Sequence, residues 1–140
     1  MAAVVLLIDD DEALPLLVEQ RLAKQGCDTV MRFVNDGQEG IDYLSRQGRY
    51  ADPVRFPWPS VVLLDLRMPR VNGFEVLDWR RNQSELKPVP VVVWSSSGLP
   101  QDRESALKLG AEDFLEKPMG LAELVETIRK VAEAYQNSQD

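Results

Sequence analysis

The sequence of 140 residues has no histidine and only one cysteine, Cys27. Without histidine the chain cannot supply a Ser-His pair, most zinc sites or a phosphohistidine of its own. One cysteine cannot form an internal disulfide, which is typical of a reducing compartment, so we expect a cytoplasmic protein. Its apolar runs are too short to span a bilayer and no export signal is visible, so we expect no membrane association.

Basic residues are also scarce, because 16 Lys and Arg stand against 23 Asp and Glu, for a formal net charge of -7. Phosphate backbones require a surplus of cations on some face, so this balance argues against nucleic acid as a partner. The length fits one hydrophobic core. We therefore predict a single domain over residues 1–140, with its core from about 3 to 135 and no output domain.

Short apolar runs alternate with segments of helical periodicity. The predicted strands cover residues 3–8, 29–34, 60–65, 89–95 and 112–117. The first predicted helix has Asp11 as its N-cap and extends to Gly26, with Leu14, Leu17, Val18 and Leu22 on one apolar face. The other predicted helices cover 37–48, 72–83, 100–110 and 121–135. Five such repeats predict an α/β protein with the flavodoxin-like (βα)5 fold, a doubly wound parallel sheet of strand order 2-1-3-4-5.

Charged and hydroxyl side chains stand at the carboxyl ends of four predicted strands. Asp9 and Asp10 end strand 1, Asp65 ends strand 3, Ser95 ends strand 4 and Lys117 ends strand 5. Ligands of open parallel sheets bind beyond the carboxyl ends of the strands, where the strand order reverses. We therefore expect three carboxylates, a hydroxyl and an ammonium group to meet at one edge.

Three neighbouring carboxylates need a compensating cation. At about 4 Å, each repulsive pair costs roughly 4 kcal/mol at an effective dielectric constant near 20. Mg²⁺ prefers oxygen ligands, usually one or two carboxylates together with water and a phosphate oxygen. Three aspartates, one Mg²⁺ and Lys117 sum to zero formal charge, and such a site can accept a phosphoryl group.

At these positions the sequence resembles a response-regulator receiver domain of bacterial two-component signalling. The similar segments are LLIDDDE, VVLLDLRMPRVNGFEVL, VVVWSSS and LGAEDFLEKP. The spacings of 30 residues from Asp65 to Ser95 and 22 from Ser95 to Lys117 also match the family.

The resemblance implies a role for each matching position. Asp65 would be the phosphoacceptor that takes a phosphoryl group from a sensor histidine kinase. Asp10 would bind Mg²⁺ directly, Asp9 directly or through water, and the backbone carbonyl of Arg67 would be a further ligand.

The resemblance also implies how the phosphoryl group is held and sensed. Lys117 would contact its oxygens and Ser95 would hydrogen-bond to it. Phe114 occupies the position of the switch aromatic, so the surface of helix 4, strand 5 and helix 5 would carry the signal to a downstream protein or phosphotransfer partner. A homodimer is left open.

Several positions have simpler interpretations. Asp11 is better explained as a helix cap than as a metal ligand, and Arg80 and Arg81 as a solvated helix end. Arg67 and Ser97, two residues beyond Asp65 and Ser95, offer no evident base for water.

An extended loop, residues 49–59 (RYADPVRFPWP), is longer than a usual connection between a helix and a strand. It resembles the loop of stand-alone receivers that partner phytochrome-type histidine kinases. Its aromatic residues either pack back on the second helix or form an exposed surface for a partner.

Two other functions are compatible with this fold class. One is an adaptor or dimerisation module that works without phosphorylation. The other is a flavin-binding domain, which the acids after strand 1 disfavour because they would repel the phosphate of the flavin.

Overall fold

Five parallel strands form one sheet in the order β2-β1-β3-β4-β5, which confirms the predicted topology. The computed structural model describes residues 3–84, 89–117 and 121–138. The strands are β1 (Ala3–Ile8), β2 (Thr29–Val34), β3 (Val61–Leu64), β4 (Val91–Ser95) and β5 (Asp113–Glu116). The helices are α1 (Leu14–Lys24), α2 (Gly37–Leu44), α3 (Gly73–Arg81), α4 (Pro100–Lys108) and α5 (Leu121–Ser138).

The central strands are buried on both faces, as their continuous apolar sequences predict. In β3 all four side chains are fully buried and alternate between two hydrophobic clusters. Val62 and Leu64 face the cluster that includes residues of α2, α3 and α4, whereas Val61 and Leu63 face the cluster that includes α1 and α5. The helices therefore cover both faces of the sheet.

The start of α3 is fixed by sequence-local contacts next to Asp65. Asn72 and Glu75 form a capping box, in which each side chain accepts the backbone N–H of the other residue. A Cβ atom on Gly73 would lie 2.4 Å from the carbonyl oxygen of Asp65. Only glycine therefore lets α3 begin this close to the end of β3.

Three expectations about individual residues were wrong. Asp11 does not cap α1, because the N-cap is Ala13 and the Asp11 carboxylate accepts the Ala13 N–H in the turn before the helix. Leu17 is 46% exposed rather than buried, since only Val18 and Leu22 of α1 reach full burial. Arg80 is buried rather than solvated, because its guanidinium donates to the carbonyl oxygens of Val89 and Gly110.

The 49–59 loop packs against the body of the domain. Helix α2 ends at Leu44, earlier than predicted, and a short 3-10 turn over Gly48–Ala51 places Tyr50 in the core with 3% exposure. The Tyr50 ring lies 5.2 Å from the ring centroid of Tyr43 and 4.9 Å from that of Phe56. Trp58 is half-buried and its Nε1 donates to Tyr135 Oη at 3.2 Å. These contacts bear out the packed interpretation of the loop.

Among the described residues, no helix is both long enough and apolar enough to cross a bilayer.

Candidate phosphoryl-acceptor site

The site lies at the carboxyl ends of β1, β3, β4 and β5, where Asp9, Asp10, Asp65, Ser95 and Lys117 meet; we call these five residues the carboxyl rim. The backbone holds the rim in register beyond the regular strands. The N–H of Asp65 donates to the Ile8 carbonyl at 3.0 Å, and that of Lys117 to the Ser95 carbonyl at 2.7 Å. Residues far apart in sequence are thereby fixed at one edge of the sheet.

The structure brings together the three carboxylates that the sequence placed at this edge. Asp9, Asp10 and Asp65 each offer an oxygen, and these oxygens lie within 4.8 Å of one another. Asp9 is 1% exposed and Asp65 is 6% exposed, whereas Asp10 is open to solvent. Three hard oxygen donors at this spacing fit a divalent cation such as Mg²⁺ or Mn²⁺.

Lys117 supplies the positive charge of the rim. Its Nζ lies 2.7 Å from Asp9 Oδ2, and its side chain is only 19% exposed. The other oxygen of Asp9 accepts the backbone N–H of Asp11 at 2.9 Å. The Asp9 carboxylate is therefore held by both of its oxygens, and the ammonium group is anchored next to the acids.

Asp65 retains an unfavourable electrostatic environment. Burial raises the pKa of its carboxyl group to about 6, and the nearby charges of Asp9 and Asp10 act in the same direction. Lys117 and the backbone N–H of Arg67 lower this pKa but do not cancel the effect. A buried carboxylate that is costly to ionise is a common feature of functional sites.

Ser95 and the two loops beside the rim are joined through Asp102, which the sequence interpretation missed. Ser95 is fully buried and its Oγ accepts the N–H of Ser97 at 3.3 Å. Asp102, in the first turn of α4, accepts hydrogen bonds from Ser97 Oγ and, at 2.6 Å, from the Arg67 guanidinium. The Ser97 hydroxyl and then Arg67 hold the pKa of Asp102 below its usual value. An acid in the third position of a helix that begins with proline was the only sequence signal for it.

Phe114 lies on β5 and is buried with 6% exposure. The Arg103 guanidinium lies 5.9 Å from its ring centroid and donates to its carbonyl oxygen at 3.1 Å. The ring predicted to act as a switch is thus directed into the core and is held next to α4.

Comparison with known proteins agrees with this geometry. Residues 5–129 match the family model of the response regulator receiver domain, so the chain belongs to this family. Receiver domains are the partners of histidine kinases in two-component signalling and bind Mg²⁺ or Mn²⁺ at their acidic site.

Two curated relatives cover nearly the whole chain. The chain is 30% identical to the response regulator Rcp1 of Synechocystis, over 91% of this chain and 85% of Rcp1. It is also 30% identical to the probable methanogenesis regulatory protein FilR2 of Methanothrix harundinacea, over 94% of this chain and 83% of FilR2.

Solved structures show the same fold. The Mn²⁺-bound form of Rcp1 superposes with a TM-score of 0.78 at 30% identity and covers 92% of this chain and 91% of its own. The phosphorylated cyanobacterial phytochrome response regulator RcpA gives a TM-score of 0.81 at 28% identity and covers 99% and 96% of the two chains.

Proposed function

We propose that this receiver domain accepts a phosphoryl group from a histidine kinase on Asp65, with Mg²⁺ bound at the carboxyl rim. The observation that carries the proposal is the convergence of three carboxylates within 4.8 Å, two of them buried, beside a single ammonium group. The arrangement leaves negative charge uncompensated. It suits a site that completes its charge balance by binding a cation and then a phosphoryl group.

The chemistry follows from the positions of these side chains. An oxygen of Asp65 attacks the phosphorus atom, a P–O bond forms, and the electron pair of the broken P–N bond returns to the kinase imidazole. Phosphoryl transfer needs mainly positioning and countercharge. Asp9, Asp10, Asp65 and the carbonyl of Arg67 would hold Mg²⁺, which supplies part of that countercharge. Lys117 supplies the rest at the phosphoryl oxygens.

The signal would leave through the surface of α4, β5 and α5. Ser95 is buried at the rim and would hydrogen-bond to the phosphoryl group, while Phe114 is buried on the neighbouring strand β5 and contacts Arg103 of α4. A change at Ser95 that moves Phe114 would alter this surface. The chain thus changes its affinity for a downstream protein and catalyses no reaction besides its own phosphorylation and dephosphorylation.

The partner proposed is a sensor histidine kinase of the phytochrome type, in the cytoplasm. It is supported by the similarity to RcpA, which is a cyanobacterial phytochrome response regulator. The 49–59 loop, which resembles the loop of such receivers, supports it as well. Co-purification with a kinase encoded nearby would test the pairing, and sedimentation with and without beryllofluoride would test for a homodimer.

The central experiment is incubation with acetyl phosphate and Mg²⁺, followed by intact-mass spectrometry. We expect one phosphoryl adduct in the wild-type protein, none in Asp65→Asn, and a normal adduct in Asp78→Asn, which changes an exposed acid of α3. Peptide mapping after borohydride reduction should place the adduct on Asp65.

The same experiment separates receiver function from an adaptor that works without phosphorylation. If a folded wild-type protein gains no Asp65-dependent adduct from acetyl phosphate or from a panel of histidine kinases, the phosphoacceptor proposal is wrong. Partner binding that is equal for wild-type protein and Asp65→Asn would then favour the adaptor.

A further inference from the structure

Lys117 has a second contact besides Asp9. Its Nζ lies 5.0 Å from the centroid of the Trp94 ring, and Trp94 is the residue immediately before Ser95 on β4. Trp94 is 4% exposed, and the Lys117 side chain is 19% exposed. An ammonium group within about 6 Å of an indole face is attracted by the ring quadrupole, most strongly where water is partly excluded.

Hydrogen bonding does not explain the indole at this position. Trp94 Nε1 is buried, and no acceptor for it exists among the residues that the structure describes. A buried donor without a partner lowers stability, and an aliphatic side chain or phenylalanine would avoid that cost because neither carries a polar group. What the indole adds over those side chains is the larger negative potential of its face.

The two contacts of Lys117 respond differently when the rim is loaded. Asp9 is one of the three carboxylates that can hold a cation, so its charge is then shared with the metal. The Trp94 ring carries no charge and offers no ligand to a hard cation. Its attraction for the ammonium group therefore persists in the loaded site.

We propose that Trp94 is a positioning residue whose ring holds the Lys117 ammonium group at the carboxyl rim, beside the phosphoryl group on Asp65, while Asp9 binds the cation. This inference rests on the proposed function. The residue acts through Lys117 and does not itself touch the reacting atoms.

The contact itself can be tested in the metal-free protein by NMR. The ring current should shift the ε-methylene resonances of Lys117 upfield of those of the other four lysines. Trp94→Leu should return them to the position of the others, while Trp79→Leu, at a half-buried tryptophan of α3, should leave them shifted. Lys117 resonances that do not respond to Trp94→Leu would overturn the inference.

The positioning role is tested by calorimetric titration with beryllofluoride in saturating Mg²⁺. Trp94→Leu should weaken binding about fivefold, the size expected of one partly desolvated cation–π contact. Trp94→Phe should weaken it less, because a smaller ring remains. In a Lys117→Met background, Trp94→Leu should have no further effect. An equal loss in both backgrounds would show a merely structural role and contradict the inference.

Thermal unfolding of each variant ensures that folded proteins are compared. If Trp94→Leu does not fold, Trp94→Phe carries the test, with a measurable loss expected only when Lys117 is present. Failure of the proposed function has a different outcome, since wild-type protein would then bind no beryllofluoride while the NMR contact could still be observed. Normal wild-type binding together with an unaffected Trp94→Leu would refute this inference alone.

Discussion

The carboxyl rim and the 49–59 loop both gather side chains that are difficult to accommodate, but they do so in opposite ways. The loop is held by hydrogen bonds to the neighbouring helices: the Tyr43 hydroxyl of α2 donates to the Pro57 carbonyl at 2.6 Å, and Trp58 Nε1 donates to Tyr135 of α5. At the rim, three carboxylates share one ammonium group, and burial raises the pKa of Asp65 to about 6.

The difference separates stability from function. A region whose buried polar groups are paired contributes to the free energy of folding, so the loss of its contacts should mainly lower stability. A region that keeps like charges together destabilises the empty protein and gains when a cation or a phosphoryl group arrives. Substitutions in the loop should therefore change stability, and substitutions at the rim should change ligand binding.

The largest expected effect on stability is in the loop. Tyr50→Ala should lower the free energy of unfolding by about 4 kcal/mol, because it removes a buried ring from an aromatic cluster. Tyr50→Phe should cost only about 1 kcal/mol, since the ring remains and only the hydroxyl is lost, which donates to Glu39 and accepts from the Arg49 guanidinium at 2.8 Å. Urea unfolding measures the free energy of unfolding of both variants. A weaker Mg²⁺ affinity in folded Tyr50→Phe would show that loop and rim are not separate.

The next effect is a gain of stability at the rim. Since the pKa of Asp65 rises from 3.8 in the unfolded chain to about 6 in the folded protein, the unfolded state loses its proton first as the pH increases. The contribution of this group to stability is therefore present below pH 3.8 and lost as the pH rises through 6. Without divalent cations, Asp65→Asn should be about 3 kcal/mol more stable than wild type at pH 7.5.

The control for that gain is its pH dependence. The difference between Asp65→Asn and wild type should disappear near pH 3.5, where both side chains are neutral, and Asp78→Asn should show no comparable gain at pH 7.5. Chemical unfolding in EDTA between pH 3.5 and 7.5 measures this difference in the free energy of unfolding. A difference that does not vary with pH would contradict the electrostatic explanation.

A smaller effect, on Mg²⁺ affinity, is expected when the positive charge of Lys117 is removed from the rim. Lys117→Met removes a positive charge 2.7 Å from Asp9 and so should tighten Mg²⁺ binding about tenfold. Lys108→Met, at an exposed lysine of α4, should leave the affinity unchanged. Calorimetric titration with Mg²⁺ decides this. A lower affinity in Lys117→Met would mean that Lys117 organises the metal ligands instead of competing with the metal.

The smallest effect concerns the link between the loop and α5. Tyr135→Phe removes the acceptor of the Trp58 Nε1 hydrogen bond and should lower the free energy of unfolding by about 0.5–1 kcal/mol. In a Trp58→Phe background the same change should cost nothing further. Additive losses would show that the hydroxyl stabilises the protein through another contact.

The fold and the rim could be predicted because their signals are local. Continuous apolar runs rich in Val and Leu define β1, β3 and β4. The residue after each strand necessarily lies at one edge of a parallel sheet. The burial of Arg80 could not be predicted, because it depends on carbonyl groups of Val89 and Gly110 that only the folded chain brings near. The same holds for Asp102, whose partners Arg67 and Ser97 come from two other loops.

The ion pair between Asp9 and Lys117 joins residues that are 108 positions apart. During synthesis the first strand and its acids leave the ribosome long before the lysine that pairs with Asp9. A nascent chain that has not yet added β5 thus carries the repulsion of the rim without its protein counterion. Completion of the last strand therefore supplies the part of the compensating charge that comes from Lys117, and a bound cation must supply the rest.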